Sequence, residues 1–444
     1  MSLASTVSLS STDLAQFFLA VVILLFSAHV FGHLFYRLKI PRVIGEIAGG
    51  LVLGPSVLGY FSSDTMNGLF AASESEGKLI SVASWLGLVL LMFISGFEVQ
   101  KSFSKSDRKT VSSILIGATG VSFLAGLALP LFVDFSSVKG PNGGILALSI
   151  VVGIAVAVTS IPVISRIFID LKVIESHFAK VVLAIATVED IILYAALAFA
   201  TSLAGSTVFQ ASQIVRTIFL TTGLFVLGLV LFPRVSTWIF NSPRARDLIT
   251  SFPTRWALFV CFAMVALASL LNVNVVFGAF LGGVAVGMMP KPVFEGARQH
   301  VRSISLALFT PIYFAVVGLQ LDLVHQFNPL FFLGFVGFAV ATKSVGSIFS
   351  AYVATKSWRS SLNLAIALNA RGGPGIVLAS VAFSAGIIGE SFFVTLVLLA
   401  ILTSAFAGYI LRYLIQRKIP LLEDAKTARV ETLSGVPNRN TSLD

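Results

Sequence analysis

The sequence predicts an all-α membrane protein of about thirteen transmembrane helices, and three observations carry that expectation. Apolar residues make up 56% of the 444-residue chain and charged residues only 11%, against about 25% charged in an ordinary soluble domain. Apolar runs long enough to cross a bilayer follow one another along most of the sequence. Positive charge gathers in every second connection between those runs. The composition excludes a soluble enzyme, a disordered chain, a coiled coil and a disulfide-stapled secreted domain. The single cysteine, Cys261, permits no intrachain disulfide, and the five histidines lack any zinc-ligand spacing.

A span needs about 20 mostly apolar residues because the hydrocarbon core is about 30 Å thick. Such runs lie near 14–36, 42–60, 80–98, 110–133, 145–168, 178–203 and 213–240, then near 254–271, 274–289, 303–321, 329–354, 361–387 and 392–414. Backbone groups in lipid must be satisfied within the segment, so each run is expected to be helical. The first is too long for a cleaved signal peptide, and its positive flank follows the apolar run.

Of the 30 Lys and Arg residues, 25 fall in the odd-numbered connections and the tail, and only Lys78, Lys139 and Arg216 fall on the other side. The positive-inside rule therefore places the N-terminus outside and the C-terminus inside. The net charge of +10 is then a matter of topology and calls for no nucleic-acid partner. The organisation expected is an external N-terminus (1–13), a membrane domain (14–416) and a polar cytoplasmic tail (417–444) that reads as disordered.

An internal repeat runs through the membrane domain. Gly45, Gly49, Gly50 and Gly54 recur with the same spacing as Gly278, Gly282, Gly283 and Gly287. Gly96-Phe97-Glu98 is echoed by Gly318-Leu319-Gln320, and Ser160-Ile161-Pro162 by Gly372-Gly373-Pro374. Small-residue spacing of this kind also serves simple helix packing, but three matches in one order favour a true repeat. Two five-helix units follow, about 42–203 and 274–416, joined by linker helices at about 213–271. The first unit enters from the cytoplasm and the second from outside, so they are inverted. Inverted repeats with paired helix breaks at the midplane mark a secondary transporter.

Once the loops and span ends are set aside, four charges remain at depth: Glu189, Asp190, Lys343 and Arg371. The two acids lie about 16–18 Å along their helix at 1.5 Å per residue, which is mid-bilayer. A charge there costs about 3 kcal/mol on insertion scales and normally marks a pathway, although a structural salt bridge would look the same. Carboxylate oxygens suit hard cations, and a carboxylate that binds either a proton or a cation exchanges one for the other. Adjacent residues project about 100° apart, so Glu189 and Asp190 cannot serve one partner equally. Two helices are interrupted beside them: Thr159-Ser160-Ile161-Pro162, and Asn369-Ala370-Arg371-Gly372-Gly373-Pro374-Gly375. Thr159 and Ser160 offer oxygen ligands, and Arg371 a counter-charge for freed carbonyl ends.

The stretches PRVIGEIAGGLVLGPSVLG (41–59), AVTSIPVISRIFIDL (157–171), ATVEDIILY (186–194), FTPIYFAVVGLQLDL (309–323) and LNARGGPGIVLASVAF (368–383) together resemble the monovalent cation:proton antiporter-2 family. The resemblance covers nearly all of 14–416. It implies an NhaA-like fold with two crossing unwound helices, a homodimer in the plasma membrane, and elevator-type exchange of Na⁺ or K⁺ for protons without a cofactor. It also implies that Asp190 carries cation and proton, that Glu189 occupies the position that varies with ion and stoichiometry, and that Lys343 pairs with Glu189. Glu189 departs from the Asp of familiar sodium-selective members and the Gln of potassium-efflux members, which leaves Na⁺ and K⁺ both open. No Gly-x-Gly-x-x-Gly nucleotide-binding unit is present.

Two other classes compete. A cation channel or a transport-dead sensor could use the same scaffold, and coupling of cation to proton movement separates them. An enzyme is disfavoured, because no nucleophile–base constellation sits at mid-membrane. The two histidines within the spans, His29 and His33, are one turn apart on the first helix and are expected at a packing interface.

Overall fold

The computed structural model describes residues 10–38, 40–70, 74–98, 108–174, 176–204, scattered positions between 216 and 247, and then 249–271, 273–417 and 419–422. The expected span at 213–240 and the tail beyond 422 therefore lie outside the described residues. Among the described residues every regular element is a helix, apart from one isolated bridge between Lys139 and Ile388.

The helices are α1 (Ser11–Arg37), α2 (Arg42–Leu53), α3 (Leu58–Phe61), α4 (Ser63–Phe70), α5 (Glu74–Glu98), α6 (Arg108–Leu115), α7 (Val121–Phe132), α8 (Ile145–Ala157), α9 (Ile161–Asp170) and α10 (His177–Ser202). They continue as α11 (Pro253–Leu270), α12 (Val275–Gly287), α13 (Lys291–Ile304), α14 (Thr310–Leu319), α15 (Pro329–Thr355), α16 (Trp358–Leu368), α17 (Gly372–Ser384) and α18 (Glu390–Gln416). Short π-helical turns, Ile116–Gly120 and Ser305–Phe309, join α6 to α7 and α13 to α14. Among the described residues nine helical segments are long and apolar enough to cross a membrane, or ten when the bent pair α16–α17 counts as one. Of the remaining runs, 145–168 divides into α8 and α9, and 274–289 is the short helix α12.

One boundary differs from the sequence reading. Arg298 and Arg302 were assigned to a loop, yet they lie on α13, which runs through the π turn into α14 as one apolar segment, Pro292–Leu319. Arg298 is buried, and its guanidinium donates to the carbonyls of Val286, Gly287 and Met289 at 2.9, 2.8 and 3.0 Å. It thereby adds charged donors to carbonyls at the C-terminal end of α12, where intrahelical bonding runs out. An arginine that caps a helix reads as a loop charge in a hydropathy scan. His29 and His33 are a second difference: both lie on the exposed face of α1.

The helices pack in two groups. α1–α5 and α11–α14 form one, and α6–α10 with α15–α18 form the other. The first group thus holds the first, second, eighth and ninth of the expected spans together with α5 and α14. Glycines fix the crossings within the first group. A Cβ on Gly50 of α2 would lie 1.8 Å from the Ala315 carbonyl oxygen of α14. One on Gly283 of α12 would lie 1.9 Å from that of Phe93 in α5. These two glycines occupy matching places in the sequence repeat. Contact between the groups runs through α10 against α12.

Candidate ion-binding site

Two helix breaks meet inside the second group. α8 stops at Ala157 and α9 starts at Ile161, leaving Val158–Ser160 as an extended link between the two helices. Opposite, α16 stops at Leu368 and α17 starts at Gly372. The Ser160 amide donates to the Ala370 carbonyl at 2.6 Å, and the Thr159 hydroxyl donates to the Leu368 carbonyl at 2.7 Å. Ser160 also caps α9, its Oγ accepting from the Val163 amide at 3.3 Å. Pro162 falls in the first turn of α9, where its missing N–H costs nothing, so the break precedes the proline. Gly372 has φ +37°, and a Cβ there would lie 2.3 Å from Val163 Cγ2. Its amide donates to Ser404 Oγ at 2.8 Å, and Gly373 and Pro374 complete the first turn of α17.

The end of α8 is neutralised by two buried cations. Arg371 donates from Nε to Ala155 at 3.2 Å and from Nη2 to Val156 at 3.0 Å and Ala339 at 2.9 Å, all carbonyls. Its Nη1 bonds the carbonyl and the side-chain oxygen of Asn369 at 3.3 and 3.2 Å. Lys343 donates to the next carbonyl, that of Ala157, and forms an ion pair with Glu189 Oε1. A helix C-terminus carries about half a negative charge in unsatisfied carbonyls. Both cations therefore meet negative charge that comes from a broken backbone as well as from a side chain. Thr119 donates to the same Glu189 oxygen at 2.8 Å.

Asp190 is 1% exposed. Standing about 100° from Glu189, it belongs to another face of α10. Tyr194, one turn further on, shares that face, and its ring lies 5.1 Å from that of Phe280 on α12. Asp190 and Tyr313 are both within electrostatic range of Tyr194. The second acid thus shares a helix face with Tyr194, which meets Phe280 across the seam between the two groups, while the first is held inside its own group. Among the described residues no three His, Cys, Asp or Glu side chains gather as a metal cluster. Asp190 contributes a buried carboxylate, a group whose oxygens suit a small hard cation or a proton.

Residues 20–417 match the family described as sodium/hydrogen exchanger, transmembrane. The chain belongs to that family. Similar proteins include the Na(+)/H(+)-K(+) antiporter GerN of Bacillus cereus, 25% identical over 93% of this chain and 99% of that one. The K(+)/H(+) antiporter 1 of Saccharomyces cerevisiae is 28% identical over 89% of this chain, which spans only 46% of the yeast protein. The fold is similar to that of the sodium proton antiporter MjNhaP1 of Methanocaldococcus jannaschii, with a TM-score of 0.63 at 16% identity over 92% and 99% of the two chains. This exchanger-family chain is a multi-pass integral membrane protein.

The site brings together Glu189, Lys343, Arg371, Thr159, Ser160 and Gly372 and sets Asp190 beside them on a separate face. Sequence reasoning missed Thr119. It sits in the π turn Ile116–Gly120, and a π turn shifts the helical register enough to re-aim a side chain. The available signal was a lone threonine between two glycines in an apolar run. Two buried charges were also missed, Glu76 and Arg298. Glu76 lies in the first turn of α5 and Arg298 on the charged helix α13, where hydropathy reads them as solvated.

Proposed function

We propose that the chain is a secondary antiporter that exchanges a monovalent cation, Na⁺ or K⁺, for protons by competition at Asp190. The observation that carries the reading is the division of labour between adjacent buried acids. Glu189 is committed to Lys343 and Thr119, whereas Asp190 shares the helix face of Tyr194, which meets Phe280 across the seam. Membership of the exchanger family and similarity to Na⁺/H⁺ and K⁺/H⁺ antiporters support it. A carboxylate in a low-dielectric site binds a proton or a desolvated cation, and occupation by one excludes the other. Exchange follows when only a loaded site crosses.

In this reading the second helix group is the moving element and the first its support, with elevator-type alternating access. The two units, about 42–203 and 274–416, are inverted repeats within about thirteen helices, the N-terminus outside and the C-terminus inside. The protein works as a homodimer in the plasma membrane. Thr159 and Ser160 contribute oxygens near the crossing, Arg371 holds the broken end of α8, and Lys343 balances Glu189. No cofactor takes part.

Asp190→Asn keeps the shape and removes the titratable group. In everted vesicles it is expected to abolish cation-driven proton movement while the purified protein retains its folded, monodisperse form. Exchange at the unaltered rate would overturn the assignment of Asp190. An imposed cation gradient that moves charge but leaves internal pH unchanged would point to a channel instead.

A further inference from the structure

Among the described residues, two hydrogen bonds that cross the seam between the helix groups stand out. One, between Asn274 Nδ2 and Thr201 Oγ1 at 3.4 Å, is long. The other is buried: the Tyr313 hydroxyl on α14 donates to Ser380 Oγ on α17 at 3.1 Å, with Tyr313 2% exposed. The tyrosine is anchored in the first group. A Cβ on Gly87 of α5 would lie 2.8 Å from Tyr313 Cβ, so the backbones of α5 and α14 meet at its root. Its hydroxyl reaches across, to the helix that begins at the Arg371–Gly372 break. Beside it, Tyr194 and Phe280 make an aromatic contact across the same seam.

A bond of 3.1 Å does not survive a slide of several ångströms along the seam, and buried hydroxyls pay for lost partners in a low-dielectric interior. We infer that Tyr313 is a positioning residue whose bond to Ser380 holds the second helix group at one height against the first, and so sets the balance between two access states. The inference rests on the alternating-access reading above. Glu189, Lys343 and Arg371 take their bonds from other residues, so the effect is on the equilibrium between states and not on the ion pair itself.

Tyr313→Phe removes one oxygen and keeps the ring. Ser380 can then turn its hydroxyl to the preceding turn of its own helix. The ratio of the two states is expected to shift about five-fold. In oriented proteoliposomes the apparent KM for the cation should therefore rise on one face and fall on the other. Ser380→Ala should reproduce that split, and the double variant should add nothing to it. Equal shifts on both faces, or none, would overturn the inference. A second readout does not depend on transport. Phe61 (81% exposed, first group) and Leu330 (83% exposed, second group) are changed to Cys for spin labels in a Cys261→Ser background. Tyr313→Phe is expected to redistribute two inter-label distances, and an unchanged distribution would remove the latch. Should the unmodified protein fail to exchange cations for protons, the proposed function falls, while the label distances still decide the latch.

Discussion

The two helix groups are held together by different physics. In the first, backbones press on one another at glycines: Gly50 on Ala315, Gly283 on Phe93, Gly318 on Ile47 and Gly96 on Phe280. The attraction there is mainly close dispersion contact, beside a few directional bonds such as Ser27 Oγ to the Gly49 carbonyl at 2.9 Å and Arg298 to the end of α12. In the second, polar bonds join helices that are broken. Lys343, Glu189, Thr119 and Arg371 tie α15, α10, the π turn and the crossing to the end of α8. A glycine seam makes a stiff support. A polar crossing keeps charges at depth in a fixed geometry, which a carrier of ions requires and a support does not.

The largest expected effect breaks the second group. Removing one member of a buried ion pair leaves the other uncompensated and costs about 3–5 kcal/mol. Lys343→Ala should lower the detergent-solubilised Tm strongly, and adding Glu189→Gln should recover much of the loss. A double variant as unstable as the single one would mean that the pair does not bear the stability of this group. The next effect strikes the first group by steric means. Gly283→Ala places a methyl 1.9 Å from the Phe93 carbonyl oxygen, and overpacking of this kind costs about 1–3 kcal/mol. No change at Glu189 should rescue it; a rescue would erase the distinction between the groups.

The smallest effect lies in the 321–328 connection that leads from the first group to the second. Burial alone would raise the Asp322 carboxyl, but the amide of His325, its ring and the amide of Val324 outweigh it and hold the group below the usual carboxylate range. A depressed folded value stabilises the protein above the unfolded value, and that contribution disappears as pH falls through the folded one. Asp322→Asn should therefore lower the Tm slightly at neutral pH, a loss of less than about 1 kcal/mol of stability for a screened surface pair. It should make no difference in acid. A loss as large as that of Lys343→Ala would show that surface and buried pairs are not distinct here.

Much of this was legible beforehand, for identifiable reasons. Lys343, Glu189, Asp190 and Arg371 stand out because a charge in an apolar run is costly and conspicuous. The break at 369–371 is legible because Gly372-Gly373-Pro374 cannot easily stay helical. Less legible was the break at 158–160, which lies before Pro162 and depends on a bond from Ser160 to Ala370 across 210 positions of sequence. Thr119 was invisible because a π turn, set by packing of Gly117 on Ser350, decides which way it points. Arg298 was misread because its partners are backbone carbonyls, which leave no trace in side-chain chemistry.

The sequence alone determined the class of the molecule: apolar runs in lipid must be helices, positive loops orient them, and a matching glycine pattern marks where they pack closely. Those are one-dimensional quantities, fixed by hydropathy, charge and residue size. The tertiary structure decided which carboxylate was committed and which shared the face of Tyr194. That choice depends on a 100° rotation between neighbours and on a lysine 154 residues away. No periodicity in a single chain encodes which helix stands opposite.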